Sequence, residues 1–275
     1  AHGLTHVLVK YHVLEDVWNE GILVLPQTQA PAPAVLTIHG CIAEGKTNNL
    51  DPHNHPRRAY GIELAALGIA TFRVDQFGFG ASVAGTSLEA AVKAFYERWP
   101  GWSLDGRRLL EQQRAIDTLA AMDCVSAAGG VGVMGNSLGG RAAVHLACLD
   151  ERVRAAVPST GLSPVASNGY RLIARDRLLC PALSKHLEWG GQALWEYSEM
   201  LSLCAPRAML LLEPFNDSYN PSMPATFACF DAARAVYQLL GAPERISMLI
   251  HGDGHDTIDP VRQYAYQWLK RFLQG

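Results

Sequence analysis

Residues 129–153 read GGVGVMGNSLGGRAAVHLACLDERV. A strand-sized apolar run, Val131 to Met134, ends in Gly135-Asn136-Ser137-Leu138-Gly139-Gly140, and an Ala-rich stretch with helical spacing, Leu138 to Leu149, follows at once. A serine in that turn serves as a turn residue, a helix cap or a nucleophile. The order strand, Gly-x-Ser-x-Gly, helix is what a nucleophile elbow requires. A strained turn lifts the Ser137 hydroxyl above the sheet edge, and Gly135 and Gly139 let strand and helix approach closely. The amides of the helix start point toward developing negative charge.

Similar short runs recur outward from this point: Thr5 to Val13, Gly21 to Leu25, Val35 to His39, Ile69 to Val74, Val153 to Val157, Ala208 to Leu212 and Ile246 to Ile250. The first two, joined through Glu15-Asp16, predict an antiparallel hairpin or meander leading into the third. Helical patterns lie at Arg57 to Leu67, Gly106 to Met122, Thr226 to Leu240 and Pro260 to Leu273. Strands alternating with helices predict an α/β fold: a mostly parallel central sheet of about eight strands, helices on both faces, and a ligand site beyond the carboxyl ends of the strands. Two stretches break the rhythm, Ala81 to Asp105 and Thr160 to Ala205, and the second is expected to be a helical excursion covering the site within a single domain of residues 1–275. The Pro/Ala-rich stretch 26–34 is expected to be a surface turn.

A serine needs a base, itself oriented by a carboxylate. His145, His186, His251 and His255 follow Ser137 in the chain. His145 falls within the helix after the elbow and His251 at a strand end, whereas Gly252 and Gly254 give His255 a loop free to return over the sheet. Asp217, on a turn-rich loop after Ala208 to Leu212, is the preferred acid, with Glu213 as the alternative. Asp253 and Asp256 flank His255 too closely to orient it. The oxyanion donors expected are the Leu138 amide and, from the His39-Gly40-Cys41 turn, the Cys41 amide. Trp189, Trp195 and His186 in the excursion are pocket candidates; Trp99, Trp102, Trp189 and Trp195 make either an apolar or sugar-stacking wall or part of the core.

The segments TIHGC, RVDQFGFGAS (73–82), GNSLGG, LDERVRAAVPSTG (149–161), APRAMLLLEPFND (205–217) and GHD (254–256) together resemble an α/β-hydrolase. Within that superfamily the chain is similar to bacterial esterases related to dienelactone hydrolases and acetyl xylan esterases. The resemblance implies Ser137 as nucleophile, Asp217 as acid and His255 as base, favours Asp217 over Glu213, and calls for no cofactor. It departs after HG, where a Gly-rich turn is replaced by CIAEGKTNNLDPHNHP; Cys41 is expected to narrow the oxyanion hole. His53 and His55 lack a third metal ligand, so no metal is expected. The Asp75-x-x-Gly-x-Gly segment lacks dinucleotide spacing, and Asp75 is expected to anchor its loop.

Lys and Arg total 23 against 26 Asp and Glu, a net charge of −3 with scattered basic residues. That balance gives no global field to draw a polyanion and favours a small-molecule or uncharged substrate, an ester on the reading above, without nucleic acid. Nowhere do 18 apolar residues run together, so no membrane span is expected. The six cysteines contain no CxxC. Several sit in apolar helical patterns and are expected to be buried free thiols, and a cytoplasmic location follows, with a removed leader and homo-oligomerisation left open. The expected chemistry is cleavage of small carboxylic esters through an acyl-enzyme. Lactonase, thioesterase or amidase/peptidase action by the same triad, and a non-catalytic binding protein, are the alternatives.

Overall fold

The computed structural model describes residues 3–28, 31–50, 53, 56–127, 129–167, 180–192, 194–220 and 222–274, with Asn49 through its backbone alone. Eight strands form one sheet: β1 (Thr5–Leu14), β2 (Val17–Leu25), β3 (Ala34–Ile38), β4 (Ala70–Val74), β5 (Val131–Asn136), β6 (Val153–Ser159), β7 (Ala208–Pro214) and β8 (Ile246–His251). Their spatial order is β1-β2-β4-β3-β5-β6-β7-β8. β1 pairs antiparallel with β2 and β2 with β4; every later pairing is parallel. This is the α/β-hydrolase arrangement, and each of the eight sequence runs falls on a strand.

The antiparallel hairpin expected of the first two runs is present. The β1–β2 hairpin leads in sequence to β3 but pairs with β4. The crossover from β3 through α1 (Tyr60–Ala66) lays β4 beside β3 on the hairpin side and takes up that edge. β5 then adds to the other side of β3. The sheet therefore reverses its direction of growth at β3, and the carboxyl ends of β3 and β5 flank the switch point where open α/β sheets hold ligands.

Both faces of the parallel strands are buried, which is why they read as continuous apolar runs. Leu36, Ile38, Val131, Val133, Met209 and Leu211 face one core with α3 (Leu104–Ala120) and α4 (Leu138–Leu149). Val35, Met134, Val157, Leu210 and Leu212 face the other, against α1 and the carboxyl-terminal helix, Asp259–Gln274. The first irregular stretch contains α2 (Leu88–Arg98), capped by Ser87, while Ser103 caps α3 two residues ahead of the expected start.

In the second stretch, residues 168–179 and 193 lie outside the described residues. Its described parts form α5 (Pro181–Glu188) and α6 (Tyr197–Leu203). Tyr197 and Leu201 of α6 are buried in the main core, and α6 packs on α4 and on α7 (Met223–Leu239). That half of the excursion is framework.

Asp75 anchors its loop. Its carboxylate accepts from the Lys46 amide (2.7 Å), the Ala81 amide (2.9 Å) and Lys46 Nζ (2.7 Å), and Lys46 also pairs with Glu20. The segment after β3 is thereby tied to the end of β4. Asp75→Ala leaves a buried ammonium with one partner lost, so unfolding in urea should show a loss of about 3–5 kcal/mol. A loss below about 1 kcal/mol would be the signature of a solvated surface pair instead.

Candidate active site

Ser137 joins β5 to α4 with φ 60° and ψ −120°, a conformation that L-residues adopt only under constraint. It stands at the N-cap of α4, yet its side chain makes no capping bond, so the helix does not occupy the hydroxyl. Its N–H donates to Ser159 O (2.9 Å) and to Thr160 Oγ1 (3.0 Å). A Cβ at Gly135 would strike the Gly139 carbonyl, and one at Gly139 the Ile38 carbonyl, as the close approach of strand and helix requires. Gly140 was not singled out in the sequence; a Cβ there would strike the Ser159 carbonyl. The Gly-Gly doublet was its only signal.

The turn after β3 lies against the serine: a Cβ at Gly40 would sit 3.2 Å from Asn136 O and 3.5 Å from Ser137 Cβ. His39, fully buried, holds that turn. The Gln76 amide donates to His39 Nε2 (3.0 Å) and Gln76 Nε2 donates to His39 O (2.7 Å), which assigns the proton to Nδ1, 2.7 Å from Gly40 O. Burial pushes the His39 imidazole down to about 4, consistent with this neutral tautomer. Cys41, next in the turn, is exposed, and Leu138 begins α4. In the sequence His39 is marked only as part of a strand-ending turn; its supporting role depends on Gln76, 37 residues away.

Asp217 and His255 come together. His255 Nδ1 lies 2.8 Å from Asp217 Oδ2, with the carboxylate almost fully buried and the imidazole partly exposed. The Tyr219 amide donates to the other oxygen, Oδ1 (2.7 Å), and the Tyr219 ring packs on the imidazole with centroids 4.5 Å apart. Asn216, also missed, clamps the two loops: its Nδ2 donates to Gly252 O (2.7 Å) and its Oδ1 accepts from the Gly254 amide (2.9 Å). Because β5, β7 and β8 are parallel, Ser137, Asp217 and His255 all follow carboxyl ends on one sheet edge.

Glu213, the alternative acid, turns elsewhere. It is fully buried at the end of β7, and its Oε1 accepts from the Leu162 amide (3.2 Å). Burial, and after it the Asp217 charge, push its carboxyl up to about 8 against the opposing pull of the Leu162 and Gly161 amides. His251 ends β8 paired with Pro214, and burial lowers its pKa. His145 is half-buried on α4, edge-to-face with Trp195 (5.9 Å), with its Nε2 turned inward, and desolvation pushes its pKa down to about 4. It shares a narrow polar crevice between α3 and α4 with Arg108, Gln112 and Leu138. His186 bonds Gln192 O (2.8 Å), and Trp189 is 83% exposed, so neither is drawn toward the Asp217 and His255 loops. Asp256 pairs with Arg57 and Arg58 rather than with a histidine. Among the described residues no group of three metal-ligating side chains occurs, and His55 lies outside them.

No family model matches the chain. A curated protein of Bacillus subtilis (strain 168), "Putative hydrolase YtaP", is 26% identical over 263 residues, covering 90% of this chain and 81% of that one. Among solved structures, "Methylesterase BT1017" aligns with a TM-score of 0.73 and 19% identity over 99% of this chain, which spans 55% of that longer one. A CE15 glucuronoyl esterase from Teredinibacter turnerae aligns with a TM-score of 0.74 and 17% identity, covering 98% of this chain and 74% of that one. At these identities the structural likeness carries the fold. No described helix is long and apolar enough to cross a membrane.

Two predictions follow from the geometry. Gly139→Ala should abolish activity or folding even with Ser137 intact; wild-type turnover in that variant would mean that strand and helix are farther apart than described. Glu213 stays protonated in the fold up to about pH 8, whereas an unfolded glutamate ionises near its ordinary value. The native chain then binds the extra proton, so this group stabilises at low pH and its contribution falls away as pH rises toward 8. Thermal melts should show a drop in Tm between pH 5 and 8 that Glu213→Gln narrows; an unchanged drop would remove Glu213 as its source.

Proposed function

We propose that the chain is a serine hydrolase that cleaves small carboxylic esters by two-step acyl transfer. The observation that carries this reading is the His255–Asp217 bond at 2.8 Å, on the same sheet edge as a Ser137 held at φ 60° with its hydroxyl unused by the helix.

His255 Nε2 takes the Ser137 proton as Oγ attacks the ester carbonyl. Asp217 holds the imidazole by its Nδ1–H, and the buried carboxylate stabilises the imidazolium formed. The amides of Leu138 and Cys41 stabilise the tetrahedral oxyanion. The imidazolium returns the proton to the departing alcohol, leaving the acyl-serine. Water, deprotonated by the same histidine, then attacks the acyl carbon, and Ser137 leaves with the proton restored. Every step runs on groups of the chain.

The names of the similar proteins support a hydrolase, and those of the aligned structures an esterase, with methylesterase and glucuronoyl esterase directing attention to esters borne by sugars. Neither structure is a dienelactone hydrolase, so that part of the sequence resemblance gains no support from them. Lactones, thioesters and activated amides remain chemically open to the same triad. A small-molecule ester is the partner proposed.

A fluorophosphonate should label wild type rapidly and in one-to-one ratio, and Ser137→Ala not at all. Ser137→Ala, His255→Ala and Asp217→Asn should each lower kcat on p-nitrophenyl acetate by about 10³–10⁶-fold. Folded wild type that resists the label would instead support the non-catalytic binding protein. A panel of p-nitrophenyl esters, sugar acetates, glucuronate methyl esters, lactones and anilides then ranks the substrates.

A further inference from the structure

The histidine loop starts from β8, at the edge of the sheet, three strand positions from β5 and therefore ~14 Å from the elbow across the hydrogen-bonding direction. It must return across the ends of β7 and β6 for His255 to reach Ser137. The bonds from Asn216 and Asp217 tie this loop to the β7 loop, and they orient the imidazole without setting its separation from the serine. Gly252 and Gly254, the latter at φ 65°, leave the loop backbone free to take other paths.

Two residues beyond His255, a fully buried threonine makes the remaining connection. Thr257 Oγ1 lies 2.8 Å from Ser159 Oγ at the end of β6 and 3.4 Å from Asn136 Nδ2 at the end of β5. Asn136 Nδ2 also donates to Thr160 Oγ1 (2.9 Å), and the same oxygen accepts the Ser137 amide. Thr160, like Ser137, is held at positive φ (49°), with its own N–H bonded to Leu212 O (2.8 Å). The carbonyl of Thr257 accepts from Arg262 (2.8 Å), which fixes it to the start of the last helix. A continuous set of buried hydroxyl and amide bonds thus runs from the histidine loop to the nucleophile's own backbone.

We propose that Thr257 is a positioning residue that sets the separation of His255 from Ser137, by pinning the histidine loop to the elbow through Ser159 and Asn136. The inference rests on the ester-hydrolase reading above. A hydroxyl is needed because the site supplies an amide donor and a second hydroxyl. An isosteric apolar side chain would fill the space, take the partner from the buried Ser159 hydroxyl and leave Asn136 Nδ2 bonded to Thr160 without its link to the histidine loop. A displacement of about 1 Å between base and nucleophile is enough to lower turnover about 10²-fold without altering substrate binding.

The test compares wild type, Thr257→Val, Thr257→Ser and Ser159→Ala for kcat and KM on p-nitrophenyl acetate, for the rate of fluorophosphonate labelling, and for Tm. Thr257→Val should lose about 10–100-fold in kcat with KM within about twofold, and label more slowly by the same factor. Thr257→Ser should restore both to within about threefold, and Ser159→Ala, which removes one of the two partners, should fall between. A folded Thr257→Val with wild-type kcat, or a loss that serine fails to restore, would overturn the proposal. If Thr257→Val does not fold, wild-type kcat in Ser159→Ala overturns it. Wild type that takes no label defeats the ester-hydrolase reading itself, and this inference with it; labelling that is equally fast in wild type and Thr257→Val defeats the inference alone.

Discussion

The fit of α4 against β3 and β5 is the constraint on which the rest of the structure depends. At Gly135, Gly139 and Gly140 a single added carbon would meet a backbone carbonyl of the elbow or of a neighbouring strand end, so the helix can only lie this close because those side chains are missing. That approach forces the link into a sharp turn, and the turn puts Ser137 at φ 60°. The two bonds accepted from the Ser137 amide at the end of β6 hold a conformation that an isolated chain would abandon. Packing of helix on sheet thus places the hydroxyl at the sheet edge.

Around that point the site is assembled from loops that share no sequence neighbourhood. The turn after β3 is held by a neutral His39 through Gln76, and the segment beyond it by Asp75 and Lys46. The acid and histidine loops are clasped by Asn216 and stacked through Tyr219. Most of these supports are polar side chains bonded to backbone groups, which is how a loop outside the apolar core is held in place. The buried carboxyls divide by surroundings. Asp217 faces an imidazole and the Tyr219 amide, whereas Glu213, one turn of loop away, faces the framework and retains its proton.

Much of this was legible in the chain. The eight strands were visible as short apolar runs because both sheet faces are buried, and a buried strand cannot hide among polar residues. The proposed Ser137, Asp217 and His255 each carry a local mark: a Gly-x-Ser-x-Gly turn between strand and helix, a carboxylate after a strand, a histidine following a Gly-x-Gly loop. The hairpin's pairing with β4 instead of β3 was not legible, because sequence adjacency carries no information about which side of β3 the crossover takes. Nor were Gly140, His39, Asn216 and Thr257, whose roles are bonds and contacts to residues distant in sequence. Trp189 and His186 looked like pocket residues by type, and their places are decided by how α5 lies.

What the sequence by itself determined is the kind and order of the elements, since hydrophobic period and turn residues act over a few neighbours. It also narrowed the proposed nucleophile and base to Ser137 and His255 and the proposed acid to Asp217 or Glu213, because these groups differ in kind. Only the tertiary structure decided which carboxylate faces the histidine. Asp217 and Glu213 are four residues apart and alike in charge; what separates them is that Glu213, still in β7, turns toward the backbone after β6, whereas Asp217, on the loop beyond the strand, turns toward the β8 loop.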